Sequence, residues 1–282
     1  MTSRPDAITV EFEHEFAKVL NLAEDNIQQS NHLLQELLLS DVQRDSVPEI
    51  PVWRLHLSAT ATFLGIIQCL KTPSSSLGAL SLLRGLVESW THLYFIADET
   101  EKGTPAQRAI RYEAGVLLEW RNFDKKTRPG SDHEETRRRH HATIMRLWVA
   151  NGGEDEPRSR TYRHVQPTWE KITALPQVKG IEALRDSSSV AVHVGAVDFL
   201  LAFNDSQITV EWVSPGRRSA WLLYAIVCFD NLTLSAFGSV PSIDTQAATQ
   251  DLHLRWLTIA NSAALAKAGA TKREPEAGLD RL

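Results

Sequence analysis

Val10-Glu11-Phe12-Glu13-His14-Glu15-Phe16-Ala17-Lys18-Val19-Leu20 opens the pattern that decides the fold. Apolar residues recur at three- and four-residue steps through Val10, Phe12, Phe16, Val19, Leu20, Ala23, Ile27, Leu34, Leu37 and Leu38. That is the period of one helical face, so the spacing predicts a long amphipathic helix over 10–39. The same period returns along most of the chain. Pro48 and Pro51 punctuate it before a second helix over 52–70. Thr72-Pro73-Ser74-Ser75-Ser76 offers a turn and cap candidates for a third helix that ends near Asp98.

Gly103-Thr104-Pro105 is a helix start, with Thr104 as N-cap and Pro105 at the first helical position. A fourth helix follows to about residue 124, and a charged fifth helix spans 134–150. Asn151-Gly152-Gly153 opens a polar loop. Further helices are expected over 168–175, from 176 to about 203 (one or a pair), over 217–237 and over 242–267. Gln207 to Val213 alternates as a strand does, with Asn204-Asp205-Ser206 as a turn, so a small β-hairpin is expected near residues 198–213. The fold class is therefore all-α, a multi-helix bundle: one helical domain over 1–269 and a mobile charged tail over 270–282.

Composition narrows function less than fold. In 282 residues, 30 basic side chains against 35 acidic ones give a net charge of −5, which is not a globally basic nucleic-acid binder. Cys69 and Cys228 sit in apolar segments and make no ligand pattern, so neither structural zinc nor a disulfide framework is expected. The N-terminus lacks the apolar core of a secretion signal, and the longest unbroken apolar run, Ala220 to Phe229, is short for a membrane span. A cytoplasmic protein with no membrane partner is the expectation. No cofactor is expected.

Chemistry concentrates on apolar helices. In Leu82-Leu83-Arg84-Gly85-Leu86-Val87-Glu88-Ser89-Trp90, the guanidinium of Arg84 and the carboxylate of Glu88 share one face four residues apart. Their apolar neighbours suggest a pair shielded from water. Such a pair is either a lock on helix packing or part of a cavity where Glu88 works as acid, base or anchor and Arg84 binds an anion. Thr91 and His92 continue that face. Ser189 and His193 repeat the four-residue spacing on a later apolar segment, where His193 is either a satisfied core residue or a proton-transfer group. No glycine-flanked elbow precedes Ser189, which argues against a serine hydrolase.

Leu83 to Trp90, the Arg111-Tyr112 helix, the Ser189-x-x-x-His193 segment and the apolar stretch from Trp221 to Phe237 together resemble domain-of-unknown-function family 5677, a group of bacterial helical proteins. The resemblance covers roughly 57–237. It implies a helical bundle in which Arg84, Glu88 and His193 approach one another, and it implies no reaction. Arg185-Asp186 before His193 is also similar to the motif of helical nucleases of the higher-eukaryote-and-prokaryote nucleotide-binding class. Here seven residues separate Arg185 from His193, longer than that motif, and each extra residue turns a helical side chain by about 100°.

The remaining signals read as structure. Glu11-x-x-His14 has the spacing of half a di-iron site but lacks the second half. Arg137-Arg138-Arg139-His140-His141, with Arg158, Arg160, Arg163 and His164, is either a phosphate-binding surface or a solvated face; Asp132, Glu134 and Glu135 favour the latter. The eight tryptophans read as packing.

The resulting expectation is an intrabundle polar site in which Arg84, Glu88 and His193 carry any catalysis, with Ser189, His92, Arg111 and Tyr112 around a ligand and no metal. It suits an interaction or regulatory module. The alternative is a metal-independent helical RNase or phosphate-processing enzyme of a defence or toxin system, acting on RNA or a phosphate-containing ligand. The long first helix is compatible with a homodimer.

Overall fold

A computed structural model describes residues 7–39, 49–72, 75–127, 134–150, 164–175, 201–204, 207–210 and 215–238. Among the described residues seven helices appear in order: α1 (Ala7–Leu39), α2 (Glu49–Lys71), α3 (Ser76–Ala97), α4 (Pro105–Thr127), α5 (Glu134–Ala150), α6 (Val165–Thr173) and α7 (Pro215–Gly238). The fold is all-α. Between α6 and α7, β1 (Leu201–Asn204) pairs antiparallel with β2 (Gln207–Val210), Leu201 opposite Val210 and Asn204 opposite Gln207. The helix expected from 176 to about 203 is corrected at its end, where Leu201–Asn204 is strand; its remainder, the helix over 242–267, the tail over 270–282, and the residues Ser189, His193, Arg185 and Asp186 lie outside the described residues.

Most element ends fall within about three residues of where the sequence signals put them, and two of the shifted starts involve proline. Helix α2 begins at Glu49 and α6 at Val165, so Pro51 and Pro167 lie inside their first turns. Proline is tolerated there because the first-turn N–H groups have no intrahelical acceptor to lose. The α4 start is a full capping box. Gln107 N donates to Thr104 Oγ1 at 3.3 Å, and Thr104 N donates to Gln107 Oε1 at 2.9 Å. Gly103 precedes it at φ 89°, a left-handed conformation that a side chain would strain. At α3, Ser75 holds the N-cap position without a side-chain cap bond; its hydroxyl donates instead to the Cys69 carbonyl at 2.7 Å, tying α3 to the end of α2.

Helices α2, α3 and α7 form the centre, with α1 laid along α7, α6 against α3, and α5 packed on α4. Small residues let α2 and α3 approach: a Cβ on Gly65 would meet Leu82 at 3.0 Å. Leu83, Leu86 and Trp90 of α3 are fully buried, and Phe63 of α2 stacks on Phe229 of α7 with ring centroids 4.6 Å apart. Each such side chain contributes about 2 kcal/mol by leaving water. Helix α7 includes a window, Arg218–Ala236, long and apolar enough to cross a membrane by length and composition. Most of that window is buried inside the bundle, as befits a central core helix.

Candidate functional site

Arg84 and Glu88 form the expected pair: Arg84 Nε donates to Glu88 Oε1 at 3.2 Å. The expectation that the pair is shielded from water is corrected. Its side chains are 38% and 41% exposed. The reason is the helical register of α3. Leu80, Leu83, Leu86, Val87 and Trp90 turn into the core, whereas Ser81, Arg84, Gly85 and Glu88 lie on a strip that neighbouring helices leave partly open.

One turn on from Glu88 the same helix becomes buried, and there three of the nominated residues meet. His92, 7% exposed, places its ring 4.7 Å from that of Tyr112 on α4. Its Nδ1 is 3.0 Å from Nε2 of His164, the residue that precedes α6, so one imidazole donates and the other accepts. His164 stacks on Phe95 of α3 with centroids 4.0 Å apart, and the Arg111 guanidinium carbon sits 6.0 Å from the centre of that Phe95 ring. Two residues of α3, two of α4 and the start of α6 thus converge. His92 is buried there, and His164, Arg111 and Tyr112 are half-buried.

The electrostatics favour neutral imidazoles. Burial pushes His92 down to about 3, and the neighbouring His164 adds to the effect. His164 is pushed down to about 4, by burial first and by the Arg111 charge second, with Glu101 opposing. Sequence placed His164 in a basic surface cluster; the structure puts it in this aromatic junction. Helix α5 behaves as a solvated face: Arg138 and Arg139 bind Glu134 and Glu135 at 2.9 and 3.0 Å, and all four are more than half exposed.

Ion pairs with one buried member lie elsewhere, at residues the sequence reading did not select. Arg218, with a side chain 2% exposed, donates to the Leu70 carbonyl at 3.1 Å, pairs with Glu13 and covers the Phe16 ring at 4.6 Å. Asp98, 7% exposed, accepts from Lys171 of α6 at 2.7 Å, and Glu101 accepts from the same ammonium at 2.7 Å. The Asp98 carboxyl is raised by burial, but the Lys171 and Thr100 hydrogen bonds outweigh this and hold it below its usual range.

A second polar seam joins α1, α2 and α7. Asn26 donates to Asp230 at 2.5 Å, and His56 Nε2 lies 3.2 Å from both the Ser30 and Thr233 hydroxyls. Burial pushes His56 down to about 4 and the Cys228 thiol upward. Among the described residues, no group of three or more His, Cys, Asp or Glu side chains is placed to hold a metal ion. No protein-family model, curated protein or solved structure matches the chain.

Proposed function

We propose that this protein is an interaction or regulatory module that meets its ligand along the polar strip of α3, from Arg84 and Glu88 to the junction of His92, Arg111, Tyr112 and His164. One observation carries the reading: the charges that fix the fold and the charges of this strip are different residues. Arg108, Arg218, Asp98 and Lys171 hold helix ends and loops, whereas Arg84 and Glu88 remain about two-fifths exposed. A half-exposed pair is reachable from solvent, and the half-buried Arg111 and Tyr112 lie against His92 and Phe95 further along α3.

The second reading is a metal-independent RNase or phosphate-processing enzyme, favoured by two imidazoles and an arginine within one junction. Two features weigh against it at neutral pH. Both histidines are held neutral, and each spends a nitrogen on the other. Efficient acid–base catalysis needs groups that titrate near the working pH.

The test is incubation of the full chain with single-stranded RNA at pH 7.5, beside its His193→Ala and His164→Gln variants. Intact RNA in every lane is the expected result. Cleavage that disappears in either variant overturns the module reading and establishes the enzyme.

A further inference from the structure

We infer that the outer face of α2 and α3 is a self-association surface, on which a second copy of this chain packs about a two-fold axis. This rests on the reading of the α3 strip as an interaction surface and goes beyond it by naming the partner.

Helix α2 carries two apolar stripes. One, through Val52, Leu55, Ala59, Phe63, Ile66 and Leu70, is buried in the core. The other follows alternating three- and four-residue steps through Arg54, Leu57, Ala61, Leu64, Gln68 and Lys71, and every one of these residues is exposed. That repeat is the seam of a helix packed along another helix. Leu57 is 56% exposed and Leu64 42%. At the two ends Arg54 pairs with Glu113 at 2.8 Å and Lys71 with Glu24 at 3.1 Å. A copy therefore meets an apolar centre between two ion pairs.

Two independent sets of residues place the same axis. The seam is symmetric about Ala61: Leu57 and Leu64 flank it, and so do Arg54 and Gln68. On α3 the charges are symmetric about Leu86, midway between Arg84 and Glu88. The register of the two helices puts these midpoints level. Thr62 lies against Gly85, Gly65 against Leu82 and Cys69 against Gly78. Each residue gained along α2 is one lost along α3, so Ala61 falls opposite Leu86.

One axis crossing both helices at that height turns Leu57 onto Leu64 of the second copy and sets Arg84 beside Glu88 of the second copy. Each contact then occurs twice, as an isologous interface requires. Arg84 and Glu88 keep their own bond, and the copy adds an opposite charge to each. An unrelated partner gives no reason for the two midpoints to coincide. From Arg54 to Lys71 the helix runs about 26 Å, and two helices side by side are about 20 Å wide. Such a patch buries roughly 1,000 Å² over both copies, the lower bound for a specific contact, so the dimer is reversible.

Analytical ultracentrifugation of the full chain from about 1 to 200 μM should show monomer converting to dimer, the range suited to a contact of this size. Leu57→Lys, at an exposed position, should raise the dimer Kd about 100-fold with unchanged circular dichroism, because two leucine contacts are lost per dimer. Arg84→Glu and Glu88→Arg should each raise it about tenfold, since each sets like charges together twice. An equimolar mixture of those two variants should recover the parental Kd, because every charge then faces its opposite across the axis. The two substitutions combined in one chain should recover it as well.

A chain that stays monomeric at every concentration overturns the proposal and leaves the face to a different protein. A dimer that Leu57→Lys leaves intact overturns it too, since the contact then lies on another face. A mixture no tighter than its components overturns the two-fold pairing of Arg84 with Glu88. RNA cleavage is a separate readout, so a monomer that leaves RNA intact loses this inference while keeping the module reading.

Discussion

The Arg108 guanidinium lies across the end of the preceding helix, with Nε donating to the Ile96 carbonyl at 2.8 Å. Nη1 reaches the Glu101 and Gly103 carbonyls at 3.1 and 2.5 Å, so one side chain satisfies orphan acceptors at the α3 terminus and organises the turn into α4. Arg108 is 1% exposed. Arg108→Ala should lower unfolding free energy by about 3 kcal/mol, because the buried Ile96 carbonyl loses its donor and the space filled by the side chain is emptied. Arg108→Lys should recover only part of it, since an ammonium lacks the planar fork. Urea midpoints measure both; a parental midpoint in Arg108→Ala sinks this account of the turn.

Arg84 and Arg218 should separate sharply. The Arg84–Glu88 pair is an i,i+4 bridge with both side chains about two-fifths exposed, and such pairs contribute about 0.5 kcal/mol. Arg84→Ala should therefore leave the melting temperature within a few degrees of the parent. Arg218 is buried against Phe16, Leu70 and Glu13, and Arg218→Ala should cost about 3 kcal/mol. Equal thermal shifts for the two variants contradict the assignment of fold-fixing charges.

Helix existence was legible because period and punctuation agree locally. Gly103, Thr104 and Pro105 state the start of α4 in three residues, and Thr104 caps it, with Gln107 closing the box in the structure. The site was legible only in part. His92, Arg111 and Tyr112 were nominated and do meet, but the residue that joins them, His164, lies 72 positions from His92 and was read with its basic neighbours. Burial at Arg84 was overestimated because an apolar composition does not say which strip of a helix neighbours cover. Arg218 and Asp230 escaped notice for a related reason: their partners Glu13 and Asn26 lie 205 and 204 residues away. No local spacing encodes such a contact.

Acid should destabilise the fold before its carboxylates titrate. His56, His92 and His164 have folded values of about 4, 3 and 4, below the ordinary 6.5. Between the folded values and 6.5 the unfolded chain binds more protons than the native one, so stability rises with pH across that window and is lost on acidification. Below about 4, protonation of Asp98 adds a further loss as pH falls through its depressed value. Urea unfolding at pH 7.5, 6 and 4.5 should show a steady decline. His164→Phe, which can keep the stack on Phe95, should shrink the slope; a slope unchanged in that variant rules out His164 as a contributor.

Two glycines at the α2–α3 contact should respond differently to alanine. Glycine inside a helix costs up to about 1 kcal/mol relative to alanine, through the backbone freedom it loses on folding. At Gly85 a Cβ would meet Thr62 Cγ2 at 3.9 Å, an ordinary van der Waals distance, so Gly85→Ala should gain about 0.5–1 kcal/mol. At Gly65 the same atom would lie 3.0 Å from Leu82 Cδ1. Leu82 is half-buried, so its methyl group can give way only by disturbing its own packing, and that cost offsets the helical gain. Gly65→Ala should be neutral or destabilising by about 1 kcal/mol. Chemical denaturation of the two variants reads the difference directly. A stabilised Gly65→Ala beside a destabilised Gly85→Ala would reverse the sense of the interface and require α2 and α3 to pack in another register.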